Sequence, residues 1–96
     1  MKGLQDKVAI VTGGATLIGA GVVQALRDKG VRVALFDIDA ANGERVAGAD
    51  KAVTRFWQVD ISDDTQLERG VAEAASHFGR IDYLVNLAAT LSLIHI

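Results

Sequence analysis

The sequence predicts an α/β fold with a doubly wound parallel sheet that is cut short after its fourth strand, in the order 3-2-1-4. Three observations predict it. Short apolar runs alternate with amphipathic runs of helical period along the chain, which is the pattern of successive βαβ units. A glycine-rich stretch, Thr12-Gly13-Gly14-Ala15-Thr16-Leu17-Ile18-Gly19-Ala20-Gly21, joins the first apolar run to the first amphipathic one. The second apolar run then ends in a carboxylate, Asp37.

The first strand spans Lys7 to Val11. Val8-Ala9-Ile10-Val11 is continuously apolar, as expected for a strand covered on both faces. The first helix spans Leu17 to Lys29. Ile18, Val22, Ala25 and Lys29 recur at helical spacing, Leu26 widens the stripe, and Gly30 stands as the stop. Gly19 and Gly21 cost helix propensity on the early turns, and close packing of helix on strand is the expected reason to keep them. The second strand spans Val31 to Phe36. The second helix, Ala40 to Gly48, has Asp39 as its expected cap and is interrupted by Gly43.

The third strand spans Ala52 to Val59 and reads as an edge strand. Val53, Arg55, Trp57 and Val59 alternate with Thr54, Phe56 and Gln58, and Phe56 and Trp57 are expected to pack rather than to stack on a base. The third helix spans Thr65 to Phe78. Ser62 or Asp63 caps it, and Gln66 follows Asp63 at capping-box spacing. Leu67, Val71, Ala74, Ala75 and Phe78 form its apolar stripe, and Gly79 ends it. The fourth strand spans Ile81 to Val85 and leads into Asn86-Leu87-Ala88-Ala89.

With right-handed crossovers, this order puts Thr12 to Gly19, Asp37, Asp60 and Asn86 at the carboxyl ends of strands, around the point where the winding reverses. Ligands of such sheets bind there. Glycines allow a sharp turn and a close backbone approach, and the first turn of a helix offers free N–H groups and a positive dipole to an anion. Asp37 lies 18 residues past Gly19, near the roughly 20-residue spacing at which an acidic side chain meets a ribose hydroxyl. The pattern points to a dinucleotide.

Composition narrows the alternatives. The 96 residues suit one small domain, and half of them are apolar. Ten basic and 12 acidic side chains give a formal charge of −2 without a basic patch, so no nucleic-acid partner is expected. No cysteine is present, which excludes disulfides and thiolate metal sites and fits a cytoplasmic protein. Met1 to Lys7 lacks the apolar stretch of a signal peptide. No apolar run approaches the length of a membrane span. No metal site is expected.

In these motifs the chain resembles the short-chain dehydrogenase/reductase family over about Gly3 to Ala89. Thr12 to Gly19 is similar to its Thr-Gly-x-x-x-Gly-x-Gly, except that Leu17 stands at the middle glycine. The Leu17 N–H is retained and its side chain is expected to point away from a pyrophosphate. Asp37 resembles the acidic residue that marks a preference for NAD over NADP. Asp60-Ile61 is similar to the Asp-hydrophobic pair beside the adenine. Phe78 to Asn86 resembles the lead into Asn-Asn-Ala-Gly, with Leu87 and Ala89 departing from it.

The resemblance implies a Rossmann-like NAD(P)-binding portion over residues 1–90 of an oxidoreductase that moves hydride between NAD(H) and an alcohol or carbonyl. The implied cofactor residues are Gly13, Thr16, Leu17, Ile18, Gly19, Asp37, Ile38, Asp60, Ile61, Asn86 and Ala88, with Thr12 tying the first strand to the fourth. The intact protein is expected to be a homo-oligomer. The family's catalytic Ser, Tyr-x-x-x-Lys and Asn would lie beyond Ile96, so none is assigned. Tyr83 sits inside the fourth strand with Leu87, not Lys, four residues on. His77 reads as a solvated helix residue and His95 as a tail residue. Residues 91–96 depart from the family pattern and resemble a translated transposon end from sequencing libraries, so the native reading frame is expected to be longer. The fragment is expected to be inactive alone and to expose apolar surface at its fourth strand. Two other functions suit a glycine loop followed by a carboxylate: a non-catalytic dinucleotide-binding module, and a nucleotide-fold methyltransferase. The Thr-Gly start and the fourth-strand motif argue against the methyltransferase.

Overall fold

A computed structural model describes residues 3–87. Seven elements alternate in order: β1 (Val8–Thr12), α1 (Leu17–Asp28), β2 (Arg32–Asp37), α2 (Ala40–Ala47), β3 (Thr54–Gln58), α3 (Asp64–Phe78) and β4 (Tyr83–Asn86). The sheet order is β3-β2-β1-β4 and every pairing is parallel. All five residues of β1 are buried, as its unbroken apolar run requires.

Alternation along the strands divides the core into two. Ile10, Ala34, Phe36, Trp57 and Val59 meet Ala74 and Phe78 of α3 on one face. Val11, Val33, Leu35 and Phe56 meet Val23 of α1 and Ala47 of α2 on the other. The sheet is therefore covered on both sides, which is why β2 reads as a solid apolar run. The alternation in β3 separates these two faces. It does not separate core from solvent, because Phe56 and Trp57 are both buried.

The stripes of α1 and α3 differ from the expected ones. In α1 the sheet meets Gly19 and Val23, with Leu26 partly buried, whereas Ile18 and Ala25 are exposed and Val22 sits at the margin. The Thr16 cap fixes where the helix starts and hence its rotation, which turns Gly19 inward. In α3, Gly70, Ala74 and Phe78 are buried and Val71 lies at the rim. Gly43 does not break α2. A Cβ there would lie 2.2 Å from the Phe56 ring, so the glycine lets α2 settle onto an aromatic side chain.

Asp39 caps α2 and Asp63 caps α3, the latter accepting from the Thr65 and Gln66 N–H groups. The expected box is displaced. The Gln66 side-chain oxygen accepts from Asp60 N at 2.9 Å, bracing the turn after β3. β1, β2 and β4 also lie one or two residues further toward the carboxyl side than expected, and β3 is shorter than expected at both ends. The chain enters β4 through Asp82, whose carboxylate accepts from Val8 N at 2.8 Å and from the Arg80 guanidinium at 2.8 and 2.7 Å. The Asp82 N–H donates back to the Val8 carbonyl at 2.8 Å. The fold leaves Tyr83 and Leu84 of β4 exposed, as expected for an apolar strand paired on one side.

Candidate functional site

Register aligns the carboxyl ends of the four strands. Thr12 pairs with Phe36 of β2 and with Asn86 of β4, and Asp37 pairs with Gln58 of β3. The loops after β1, β2 and β3 therefore meet along one edge. Between them lies a cleft of about 260 Å3 lined by Gly13, Thr16, Phe36, Asp37, Ile38, Val59, Asp60, Ile61 and Leu87.

The wall toward β1 is the glycine turn. Gly13 has φ +76°, a conformation that disfavours any side chain, and its N–H donates to the Phe36 carbonyl at 3.0 Å. Thr16 caps α1 with one hydroxyl used twice. It accepts from Gly19 N and donates to the Gly13 carbonyl, each at 3.0 Å. Ala20 N donates to the Thr16 carbonyl at 2.8 Å. Among the described residues this leaves the Leu17 and Ile18 N–H groups without a protein acceptor at the helix's positive end. Gly19 sits behind the turn. A Cβ there would lie 2.4 Å from Gly14 Cα and 2.5 Å from the Gly13 oxygen.

The wall toward β2 is Asp37. Its Oδ2 accepts from Ala15 N at 3.1 Å and its Oδ1 from Asp39 N at 3.0 Å. Each oxygen retains a further lone pair for a hydroxyl. Ile38 beside it is 66% exposed. The floor is Phe36 and Val59, and Ile61 stands on the β3 side. The Asp60 carboxylate accepts from the Ser62 hydroxyl at 2.6 Å and the Ser62 N–H at 3.0 Å. Those two bonds, the hydroxyl's first, hold its carboxyl below the ordinary carboxylate range.

Six of the expected residues thus line the cleft: Gly13, Thr16, Asp37, Ile38, Asp60 and Ile61. Leu17 and Ile18 do not line it. Their side chains are 92% and 74% exposed at the end of α1, and what they leave at the helix end is their N–H groups. Gly19 is buried packing. Asn86 accepts from the Thr12 hydroxyl at 2.7 Å, the tie between β1 and β4 that was expected of Thr12. Ala88 lies outside the described residues, as do Ala89 and residues 91–96. Phe36, Val59 and Leu87 were not expected in the site. Phe36 and Val59 look like ordinary core residues in the sequence, and their signal is only that each ends or follows a strand. The Asp37–Ala15 bond is a tertiary contact that no spacing announces. Close packing, the reason expected for both Gly19 and Gly21, holds for Gly19 alone and against the Gly13–Gly14 turn instead of the strand, since nothing lies within 4 Å of a Cβ at Gly21.

No group of three or more His, Asp or Glu that could hold a metal ion occurs among the described residues, and no helix among them is long and apolar enough to cross a membrane.

The chain is similar to proteins of known kind over most of its length. It is 39% identical over 93 residues to D-threitol dehydrogenase of Mycolicibacterium smegmatis, covering 94% of this chain and 36% of that protein. It is 43% identical over 91 residues to the sex determination protein tasselseed-2 of Zea mays, covering 94% and 27%. The crystal structure of 3-ketoacyl-(acyl-carrier-protein) reductase from Brucella melitensis complexed with NADH matches with a TM-score of 0.79 and 35% identity, over 84% of this chain and 33% of that one. The chain thus spans about a third of the length of the relatives it matches. The profile of the short chain dehydrogenases matches residues 7–95, and the chain belongs to that family.

Proposed function

We propose that this chain is the NAD(H)-binding portion of an oxidoreductase that moves hydride between NAD(H) and an alcohol or carbonyl, with the acid–base residues supplied by sequence beyond Ile96. The observation that carries this is the juxtaposition of Asp37 with the N-terminus of α1 across one cleft. The Leu17 and Ile18 N–H groups and the helix dipole suit a pyrophosphate. The acceptor-only carboxylate of Asp37 suits vicinal ribose hydroxyls, and the apolar Ile38 and Ile61 suit a purine. The NADH complex of the Brucella melitensis reductase supports the same class of ligand.

When bound, the nicotinamide ring gives or takes a hydride at carbon. The chain's own residues orient and select. Gly13 and Thr16 hold the turn so that two N–H groups converge on one anion. Asp37 accepts from ribose hydroxyls and repels a 2′-phosphate, which is the basis for proposing NAD over NADP. Asp60 and Ile61 border the adenine, and the Thr12–Asn86 tie sets the distance between β1 and β4. Within this reading, residues 1–90 form the cofactor portion and 91–96 lie outside it. The intact protein is a cytoplasmic homo-oligomer in which further chain or a further subunit covers Tyr83 and Leu84.

Titration with NADH and NADPH, followed by quenching of the single Trp or by calorimetry, tests the proposal. NADH is expected to bind at least about tenfold more tightly, since one like-charge contact at a half-buried carboxylate costs on the order of 1.4 kcal/mol or more. Equal or reversed affinities refute the role given to Asp37. Saturable binding of S-adenosylmethionine in preference to both refutes the class.

A further inference from the structure

We infer that Asp37 is also a positioning residue for the phosphate-binding turn, so that nucleotide selection and anion binding are set by one carboxylate. The inference rests on the cofactor reading for its functional meaning and on geometry for its structural content. The turn from Gly13 to Thr16 carries two tethers to β2. The Gly13 N–H donates to the Phe36 carbonyl at 3.0 Å, and the Ala15 N–H donates to Asp37 Oδ2 at 3.1 Å. The first is an ordinary backbone bond at the root of the turn. The second holds its crest, one residue before the Thr16 cap. Ala15 is itself buried, so without the carboxylate its N–H loses its acceptor where water enters poorly.

The other oxygen is not idle. Asp37 Oδ1 accepts from Asp39 N at 3.0 Å, and Asp39 in turn caps α2 by accepting from Asn42 N at 3.1 Å. The carboxylate therefore has a fixed rotamer, gripped from the glycine turn on one side and the α2 entry on the other. A charged acceptor makes each of these bonds stronger than a neutral one would. Ribose hydroxyls would meet an acceptor already aimed, with one lone pair left on each oxygen. The consequence is that Asp37 cannot be exchanged for a neutral side chain as a pure selectivity switch. Its removal relaxes the crest of the turn on which the Thr16 cap, and hence the free N–H pair of α1, depends.

Hydrogen exchange on the cofactor-free 96-residue chain tests this. In Asp37→Ala the Ala15 amide is expected to exchange about ten- to a hundredfold faster, the loss of one charge-assisted bond. Asp37→Asn, which keeps one acceptor oxygen, is expected to fall between the two. The Ile10 and Leu35 amides, deep in the sheet, should keep their protection in both variants. Unchanged exchange at Ala15 overturns the inference even if NADH binding weakens, since a residue that only reads ribose has no effect on the empty turn. Faster exchange at Ala15 in a protein whose wild type fails to bind NADH leaves the inference standing and sinks the cofactor reading instead. A second measurement needs no variant. A scalar coupling between the Ala15 amide nitrogen and the Asp37 carboxyl carbon is expected in wild type. Its absence, where the Gly13-to-Phe36 coupling is seen, also overturns the inference.

Discussion

Gly19 and Gly21 stand two residues apart on one helix, and replacing each by Ala should move stability in opposite directions. In a helix interior Ala is favoured over Gly by about 0.8–1 kcal/mol. At Gly21 a Cβ meets nothing within 4 Å, so Gly21→Ala should collect that gain and raise stability by up to about 1 kcal/mol. At Gly19 the same methyl would stand 2.4 Å from Gly14 Cα, 2.5 Å from the Gly13 oxygen and 2.7 Å from the Gly14 carbonyl carbon. All three are backbone atoms, so no rotamer change relieves the contact. Ordinary packing distance is regained only if α1 lifts by about 1 Å or the turn gives way, and overpacking of this kind costs typically 1–3 kcal/mol. Against the propensity gain, Gly19→Ala should lose up to about 2 kcal/mol, and the two variants should differ by the overpacking cost, about 1–3 kcal/mol. Urea unfolding followed by the fluorescence of Trp57, the sole tryptophan and a buried one, measures both. Two variants that shift stability in the same direction would refute the claim that helix–turn contact is what fixes glycine at 19.

Three further outcomes are expected. Thr12→Val removes a hydroxyl that is buried and bonded to Asn86 Oδ1 at 2.7 Å, and should cost about 1–2 kcal/mol with a weaker pairing of β4 seen as faster amide exchange along that strand. The Arg80 side chain, and after it the Val8 N–H, hold the Asp82 carboxyl below the ordinary carboxylate range. A lowered folded value gives stability that is present above the unfolded value of about 3.9 and lost as pH falls through the folded one. Melting temperature should therefore drop on acidification below about pH 4, and Asp82→Asn should start lower at neutral pH and show a flatter acid limb. Leu17→Gly touches a side chain with no partner in the fold, so it should cost only the helix-propensity difference of about 1 kcal/mol; a larger loss by calorimetry would show that Leu17 packs.

The order of elements and the 3-2-1-4 sheet were legible because each element's period is set by burial. A strand covered on both faces has to be apolar throughout, as Val8 to Val11 and Val33 to Phe36 are. Helix rotation was not legible to the same degree. The α1 sequence offers apolar residues at Ile18, Val22, Val23, Ala25 and Leu26, and any of two adjacent stripes satisfies the period. What chooses between them is the Thr16 cap and the fit of Gly19 against Gly13 and Gly14, neither of which enters a hydrophobicity count. The cleft was legible where it depends on strand ends, as at Asp37 and Asp60. It was opaque where side chains reach across elements. Gln66 bonding to Asp60 N, and Asp37 to Ala15 N, follow from loop geometry that forms only after the strands align.

The glycine pattern itself separates into distinct physical demands. Gly13 answers to backbone conformation, since a positive φ of 76° strains any other residue. Gly19 answers to distance, since the helix crosses the turn with no room for one carbon. Position 17 answers to neither. Its residue begins a regular helix and its side chain stands 92% exposed, so the fold accepts leucine there without rearrangement, and its N–H remains presented beside that of Ile18. Glycine at 17 is therefore not what the protein needs in order to fold. That distinction explains how a chain with leucine at 17 still closes the cleft around Asp37. It also locates any cost of Leu17 in ligand affinity, where titration of Leu17→Gly against wild type measures it separately from stability.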